Sequence, residues 1–370
     1  MKSGLSKWLF YLALLPATLG LCAWQGWAWW SWASAPVESA SDVSADLDAS
    51  PPSASDQAVQ LKILEGTSGQ QIGQDLQAAG LIRSATAWKL WTRWQTILDA
   101  EGGFQAGTYE LSPAESLSAI ANKIWTGDVK QLSVTIPEGW SLQEMANHFE
   151  AQGFFSATDF MAATRRIPQD FYPWLPSSLP HLEGFLYPDT YQLVAEQITP
   201  DRIINQMLGR FEELALPVYQ QAQTQLNLLE WVTLASIVEQ ETVVDDERDI
   251  IAGVFTRRLR ERIPLGADPT VEYALGIHQT ADQPLTFRQV ETPSPYNTYI
   301  NVGLPPTPIA SPSVKSLKSS LYPQITEYLY FVAKYDGTHI FSRTQAEHEA
   351  AQAAIWDERL AQKQNAAVQN

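Results

Sequence analysis

Leu228 to Thr242 reads LLEWVTLASIVEQET, a run that is apolar on almost every side and then ends in two carboxylates, Glu239 and Glu241. Leu228, Leu229, Trp231, Val232, Leu234, Ala235, Ile237 and Val238 leave no polar stripe. Such a helix has to be enclosed by the rest of a domain. Burial disfavours a charged carboxylate, and the negative end of the helix dipole acts in the same direction. A glutamate at this end is therefore a candidate general acid near neutral pH. The competing reading is a solvated C-terminal turn, and the run by itself leaves both open. It also does not choose between the two acids. Two residues apart is about 200° around a helix, so Trp231, Leu234, Val238 and Glu241 share one face while Leu228, Val232, Ala235 and Glu239 share another.

Working outward, the chain of 370 residues with 45% hydrophobic content is long enough for two or three globular domains. Its N-terminus differs from the rest. Trp8 to Ala35 carries no charged residue and is rich in Leu and Trp, more than the roughly 20 residues a spanning helix needs. Lys2 and Lys7 precede it, and Glu38, Asp42, Asp46 and Asp48 follow it. The lysine bias predicts a single-pass anchor with a cytoplasmic N-terminus and the remainder of the chain on the far side of the membrane. Ala33-Ser34-Ala35 resembles a signal-peptide cleavage site, but the apolar region is about twice the usual length for one. Leu19-Gly20-Leu21-Cys22 resembles a lipoprotein box with a bulky Leu where a small residue is expected, which argues against lipidation. Cys22 is the single cysteine, so the exported part holds no disulfide and no cysteine-ligated metal. Residues 36–57, rich in Ser, Ala, Pro and Asp, predict a flexible linker that holds the folded part at some distance from the bilayer. A formal net charge of −17 makes nucleic acid or an anionic membrane surface a poor partner for the chain as a whole.

An internal repeat marks a small module. Ile63-Leu64-Glu65-Gly66-Thr67-Ser68 aligns with Ile136-Pro137-Glu138-Gly139-Trp140-Ser141, and Ile72/Met145 and Leu76/Phe149 recur in register. Each copy predicts a strand, a turn, a helix opened by Ser and closed by Gly80 or Gly153, and a second helix from near Ser84 or Ser156. Gly107-Thr108-Tyr109-Glu110-Leu111 adds a strand to the first copy, and an amphipathic helix follows from Ser116 to Trp125. The strand, helix, helix, strand order over Ala58 to Leu111 resembles the LysM fold, which implies glycan binding; a purely positioning scaffold is the alternative. The predicted organisation is α+β: an anchor over 1–35, the linker over 36–57, a LysM-like βααβ module over 58–130, a mixed α/β catalytic domain over 131–355 whose part 131–165 repeats the module, and a tail over 356–370.

Further motifs follow in order: LEGFLYPDTY at Leu182 to Tyr191, LASIVEQET at Leu234 to Thr242, LGADPTV at Leu265 to Val271, TPSPYNTYINVGLPP at Thr292 to Pro306 and YLYFVAKYDGTHIF at Tyr328 to Phe341. FQAGTY at Phe104 and ERDIIAGVFTRRL at Glu247 belong to the same set. Together they resemble the YceG-like family of endolytic murein transglycosylases, from about Leu64 to His348. That resemblance implies a membrane-anchored enzyme working beside peptidoglycan synthases, cutting nascent glycan strands between N-acetylmuramic acid and N-acetylglucosamine and limiting their length. It also implies that Glu241, the second acid of the E-x-E-T sequence, is the catalytic group.

Such an enzyme needs one carboxyl where most glycoside hydrolases place two. The acid protonates the leaving oxygen, then takes a proton from the C6 hydroxyl of the same muramic acid, which attacks C1 and closes a 1,6-anhydro ring. The nucleophile is already attached to the substrate, so effective molarity replaces a bound water. Candidates for the substrate-binding surround are Glu183, Asp189, Glu239, Asp268, Thr270, Tyr296, Asn297 and Tyr299. Pro269 predicts an extended or turn conformation for Asp268. The Pro293 to Pro308 loop reads either as a sugar-binding edge or as a stiff connector. Asp245, Asp246 and Glu247 open the next helix, and Arg257, Arg258, Arg260 and Arg262 gather at its end, which is dipole compensation first. The five histidines show no metal-ligand spacing, so no metal is expected. No organic cofactor is expected either: no lysine lies between Lys130 and Lys315 to form a Schiff base with pyridoxal phosphate. The alternatives from other classes are a non-catalytic glycan-binding scaffold and an ordinary hydrolase.

Overall fold

The computed structural model describes residues 3–38, 58–100, 102–194, 198–280, 283–334 and 336–369, with side chains from residue 16 to residue 360. The fold is mixed α+β and divides into two compact units, Met1–Leu132 with Gln192–Gln197, and Ser133–Tyr191 with Ile198–Asn370.

The first unit opens with α1 (Ser3–Ser34), followed by β1 (Val59–Ile63), α2 (Gly69–Ala78), α3 (Ala85–Leu98), β2 (Gly107–Leu111) and α4 (Leu117–Thr126). β1 and β2 pair antiparallel, Val59 opposite Leu111 and Ile63 opposite Gly107. The predicted serines do the capping: Ser68, Ser84 and Ser116 each accept a backbone N–H from the first turn of the helix they precede. Ile72, Leu76, Trp88, Tyr109, Leu111, Ile120 and Ile124 fill the core. Ala33 at the end of α1 is buried in that same core, and the N–H groups of Val37 and Glu38 donate to the Pro113 carbonyl. The linker expected over 36–57 therefore begins as ordered chain, and beyond Glu38 it lies outside the described residues. Among the described residues no helix is long and apolar enough to cross a membrane. Most of the Leu-rich beginning of the expected anchor precedes the described side chains.

The repeat is longer than the sequence pattern indicates. β3 (Gln131–Thr135), α5 (Leu142–Ala151) and α6 (Ala157–Ala163) match the expected elements, but β4 (Thr190–Val194) then pairs with β3, completing a second strand, helix, helix, strand order. The Pro-rich stretch between α6 and β4 breaks the period and hides this fourth element.

The second unit continues with α7 (Pro200–Leu214), α8 (Leu216–Gln221), α9 (Leu228–Glu241), a 3-10 turn at Asp245–Glu247, α10 (Arg248–Glu261), α11 (Asp268–Leu275), α12 (Phe287–Val290), α13 (Val314–Leu321), the hairpin β5 (Tyr330–Ala333) and β6 (His339–Ser342), and α14 (Gln345–Gln369). α14 runs through the segment expected to be a tail. α9 is the axis of this unit. Asn227 and Glu230 form a reciprocal capping box at its start, and Trp231 through Val238 are all buried, as its lack of a polar stripe predicts. Trp231 stacks on Tyr219 at 5.1 Å and donates its indole N–H to the Leu317 carbonyl at 2.8 Å. Leu234, Ile237, Val238, Ile251, Phe255, Leu265 and Ile309 form the adjoining core. Two glycines permit this packing. A Cβ on Gly184, at φ +81°, would stand 2.4 Å from Pro308, and one on Gly253 would stand 2.1 Å from the Gln324 carbonyl oxygen.

Candidate active site

Because α9 stays helical through Glu241, its two terminal acids leave on opposite sides. The Glu239 carboxylate accepts from the backbone N–H of Ser313 at 2.9 Å and from the Ser313 hydroxyl at 2.5 Å. Arg248 lies 3.3 Å away, and both side chains of that pair are about nine-tenths buried. Arg248 also donates to Asp245 at 2.7 Å and to the Ser316 hydroxyl. Glu239 thus ties α9 to α10 and α13.

Glu241 meets different company. It is half-buried, and its carboxyl is pushed up to about 8, first by burial and then by the neighbouring carboxylates of Asp268 and Glu272. Arg258 and the backbone N–H of Asp268 oppose that shift without cancelling it. The result is an acid that keeps its proton at neutral pH while part of its surface faces solvent. Asp268 is the first residue of α11, with Pro269 behind it, so the proline sets a helix start. Its carboxylate accepts from the Tyr299 hydroxyl at 2.5 Å and from the Gln279 amide at 3.0 Å. Tyr299 is exposed at the rim, and its phenol is held above the usual range by burial and by Asp268. Arg258 is anchored by the Leu329 and Leu265 carbonyls at 2.5 and 2.7 Å and lies over the Tyr330 ring at 4.9 Å.

A second perturbed acid is sealed. Glu183 is 2% exposed. Its carboxylate oxygens accept from the Leu142 N–H and the Tyr273 hydroxyl, each at 2.9 Å. Burial pushes it up to about 8 against those two hydrogen bonds. It binds the start of α5 to α11 and presents no free face.

The other candidates divide the same way. Asp189 is paired with Arg210 at 2.6 Å; burial works against its charge, but Arg210 and the Thr190 N–H hold its carboxyl below the usual range. Thr270 is buried, donating to the Ala267 carbonyl at 2.6 Å and lying 2.9 Å from the Thr298 hydroxyl. Asn297 is buried too: its amide donates to the Val290 and Thr292 carbonyls, and its oxygen accepts from the Tyr299 N–H. Tyr296 bonds Thr307 at 2.8 Å and packs on Tyr273 at 4.9 Å. The Pro293 to Pro308 loop has a bonded interior and an exposed outer edge. Asn297 and Thr298 are its stiffened inside, while Tyr299, Ile300 and Val302 are exposed.

Of the residues singled out in the sequence, the fold gathers Glu241, Asp268 and Tyr299 at one place and uses Glu183, Glu239, Thr270 and Asn297 as ties. Sequence reasoning missed Glu272 and Arg258 beside Glu241. A signal for Arg258 existed: it continues the three- and four-residue spacing of buried Ile251, Val254 and Phe255, which points it inward. His339, at the start of β6, pairs with Glu247 at 2.7 Å. Among the described residues no group of His, Cys, Asp and Glu is arranged to hold a metal ion.

An α+β fold that encloses one apolar helix and places a raised carboxyl on a half-buried residue at its end defines a class of proteins equipped for acid–base work. The chain belongs to the YceG-like family, whose model matches residues 61–354. It is 31% identical over 308 residues to the endolytic murein transglycosylase of Bacillus subtilis, covering 79% of this chain and 83% of that protein. It is also 31% identical over 320 residues to the endolytic murein transglycosylase of Streptococcus pneumoniae, again over 79% of this chain but only 57% of that longer relative. A crystal structure of a yceG-like protein from Listeria monocytogenes superposes with a TM-score of 0.53 at 30% identity, covering 80% of this chain and 99% of that one.

Proposed function

We propose that this protein is an endolytic peptidoglycan transglycosylase that cleaves glycan strands at the bond between N-acetylmuramic acid and N-acetylglucosamine, leaving 1,6-anhydro ends and limiting strand length. The observation that carries this reading is the contrast among three acids: Glu239 is consumed by Arg248 and Ser313, Glu183 is sealed, and Glu241 is both protonated at neutral pH and half-open. Glu241 gives its proton to the leaving oxygen and, as a carboxylate, then takes the proton of the C6 hydroxyl. The carboxylates of Asp268 and Glu272 serve twice. They raise the acid beforehand, and they stabilise positive charge as it grows at C1. Tyr299, Asp268 and Tyr296 are the sugar contacts we favour.

The N-terminal helix serves as a single-pass anchor in the plasma membrane, supported by the uncharged run from Trp8 to Ala35 and the lysines before it. The first unit is read as LysM-like from its strand, helix, helix, strand order, and peptidoglycan synthases are the partners this placement suits. The test uses uncrosslinked glycan strands with the intact protein and with Glu241→Gln. Anhydro ends from the former and none above background from the latter are expected. Equal yields would rule out the enzyme reading, and products heavier by one water would indicate a hydrolase.

A further inference from the structure

α3 carries a face without a partner among the described residues. Its inward positions Ala87, Trp88 and Trp91 are buried in the core of the first unit, whereas Leu90, Trp94, Ile97 and Leu98 are exposed by 49%, 62%, 70% and 65%. Spacings of three and four residues gather these side chains into one stripe. Lys89 and Arg93, both exposed, border it, and no acidic residue occurs from Ala85 to Leu98. An apolar stripe with a tryptophan and a basic edge is the make-up of a helix lying in a lipid headgroup boundary. In a chain of net charge −17 this edge is locally cationic, so attraction to anionic lipid is confined to it.

What brings a bilayer to this face is α1. Its last turns are built into the first unit: Ala33 is buried in the core that holds Trp88, and Trp30 packs against that core. The Arg83 guanidinium stands 5.9 Å from the Trp32 ring centre, and α1 touches both α3 and α4. If about 20 residues counted from Trp8 cross the hydrocarbon, the crossing ends near Ala28. Trp29, Trp30 and Trp32 then stand at headgroup depth, where tryptophan is enriched. No slack separates that depth from the module.

We propose that the α3 stripe of Leu90, Trp94, Ile97 and Leu98, bordered by Lys89 and Arg93, docks into the headgroup boundary of an anionic bilayer, so that the first unit lies on the membrane. The inference rests on the anchor reading of α1 for the placement of the bilayer. It replaces a mobile tether at this end of the chain with a fixed seat.

The test places a nitroxide on the full-length protein in vesicles of phosphatidylethanolamine and phosphatidylglycerol, and compares its collisions with oxygen and with a water-soluble nickel chelate. Labels are carried by Trp94→Cys, Ile97→Cys and, as an exposed position on α2, Gln74→Cys, each in a Cys22→Ser background. A separate sample carries the label on native Cys22. Oxygen collisions exceeding nickel collisions at positions 94 and 97, with the reverse at 74, are the expected result. Water-like behaviour at 94 and 97 overturns the docking, and shielding from both reagents overturns it too, because protein then covers the face. Cys22 reports the anchor independently: lipid there with water at 94 and 97 sinks the docking alone, and water at Cys22 sinks the anchor reading. In phosphatidylcholine alone the oxygen preference at 94 falls; an unchanged value overturns the part assigned to Lys89 and Arg93.

Discussion

The two sides of the last turn of α9 are chemically opposite regions. On one side Glu239 accepts from a guanidinium, a hydroxyl and a backbone N–H, although its charge also reaches the Glu138 carboxyl, which burial and then Glu239 raise. On the other side Glu241 meets two carboxylates, with one arginine held back by carbonyls of its own. Identical side chains two positions apart therefore become a paired structural tie and a carboxyl with a raised proton affinity, the group proposed as the acid. The difference lies in what other elements bring to each, since both are products of one helix. Glu183 completes the contrast, because a raised acid without access to solvent is only a packing element.

The contrast breaks most visibly at Glu241. Glu241→Gln should lower the rate of anhydro-end formation by about 10²–10⁴-fold, the usual worth of a general acid–base group, with an unfolding midpoint close to that of the parent. An equal loss from Glu239→Gln in a folded protein would erase the distinction between the two sides. Arg248→Ala should act on stability, since it strands the buried Glu239 charge; a loss of about 3–5 kcal/mol is expected in urea unfolding.

Glu183→Ala should cost about 1–3 kcal/mol by leaving the Leu142 N–H and the Tyr273 hydroxyl without an acceptor. The sign of the pH dependence at this position follows from burial. The folded carboxyl titrates at about 8 against 4.5 for the free group, so folded protein binds the extra proton. Stability from Glu183 is complete below the lower value and is lost as pH rises through about 8. Glu183→Gln should flatten that slope in unfolding measured across this window.

The smallest effect sharpens the picture of Glu241. Its first step needs the protonated acid, so activity should fall as pH rises through about 8. Asp268→Asn removes a charge that raises the acid and should move this alkaline limb to lower pH; Arg258→Gln removes one that lowers it and should move the limb upward. Both shifts are modest because burial is the larger cause, and limbs that stay in place would mean these neighbours do not set the proton affinity.

Much of the architecture was legible in short-range pattern. The serine caps at Ser68, Ser84, Ser116 and Ser141, the enclosed character of Trp231 to Val238, and the strand, helix, helix, strand order of the first module all follow from local backbone chemistry and apolar spacing. The closure of the second repeat by β4 was not legible, because pairing across the insertion before it is a long-range event with no local signature. The role of Asn297 was hidden for a related reason. A polar side chain in a Pro-rich loop reads alike whether it faces sugar or bonds its own backbone, and only the loop's path turns Asn297 inward.

By itself the sequence determined that an apolar helix would be buried and would end in acids on opposite faces, since 100° per residue and the hydrophobic effect require no partner to be specified. Which acid keeps its proton was decided by tertiary structure alone. Proton affinity depends on the charges and solvent a few ångströms away, and at Glu241 these charges arrive from Arg258, Asp268 and Glu272, residues that only folding brings to the end of α9.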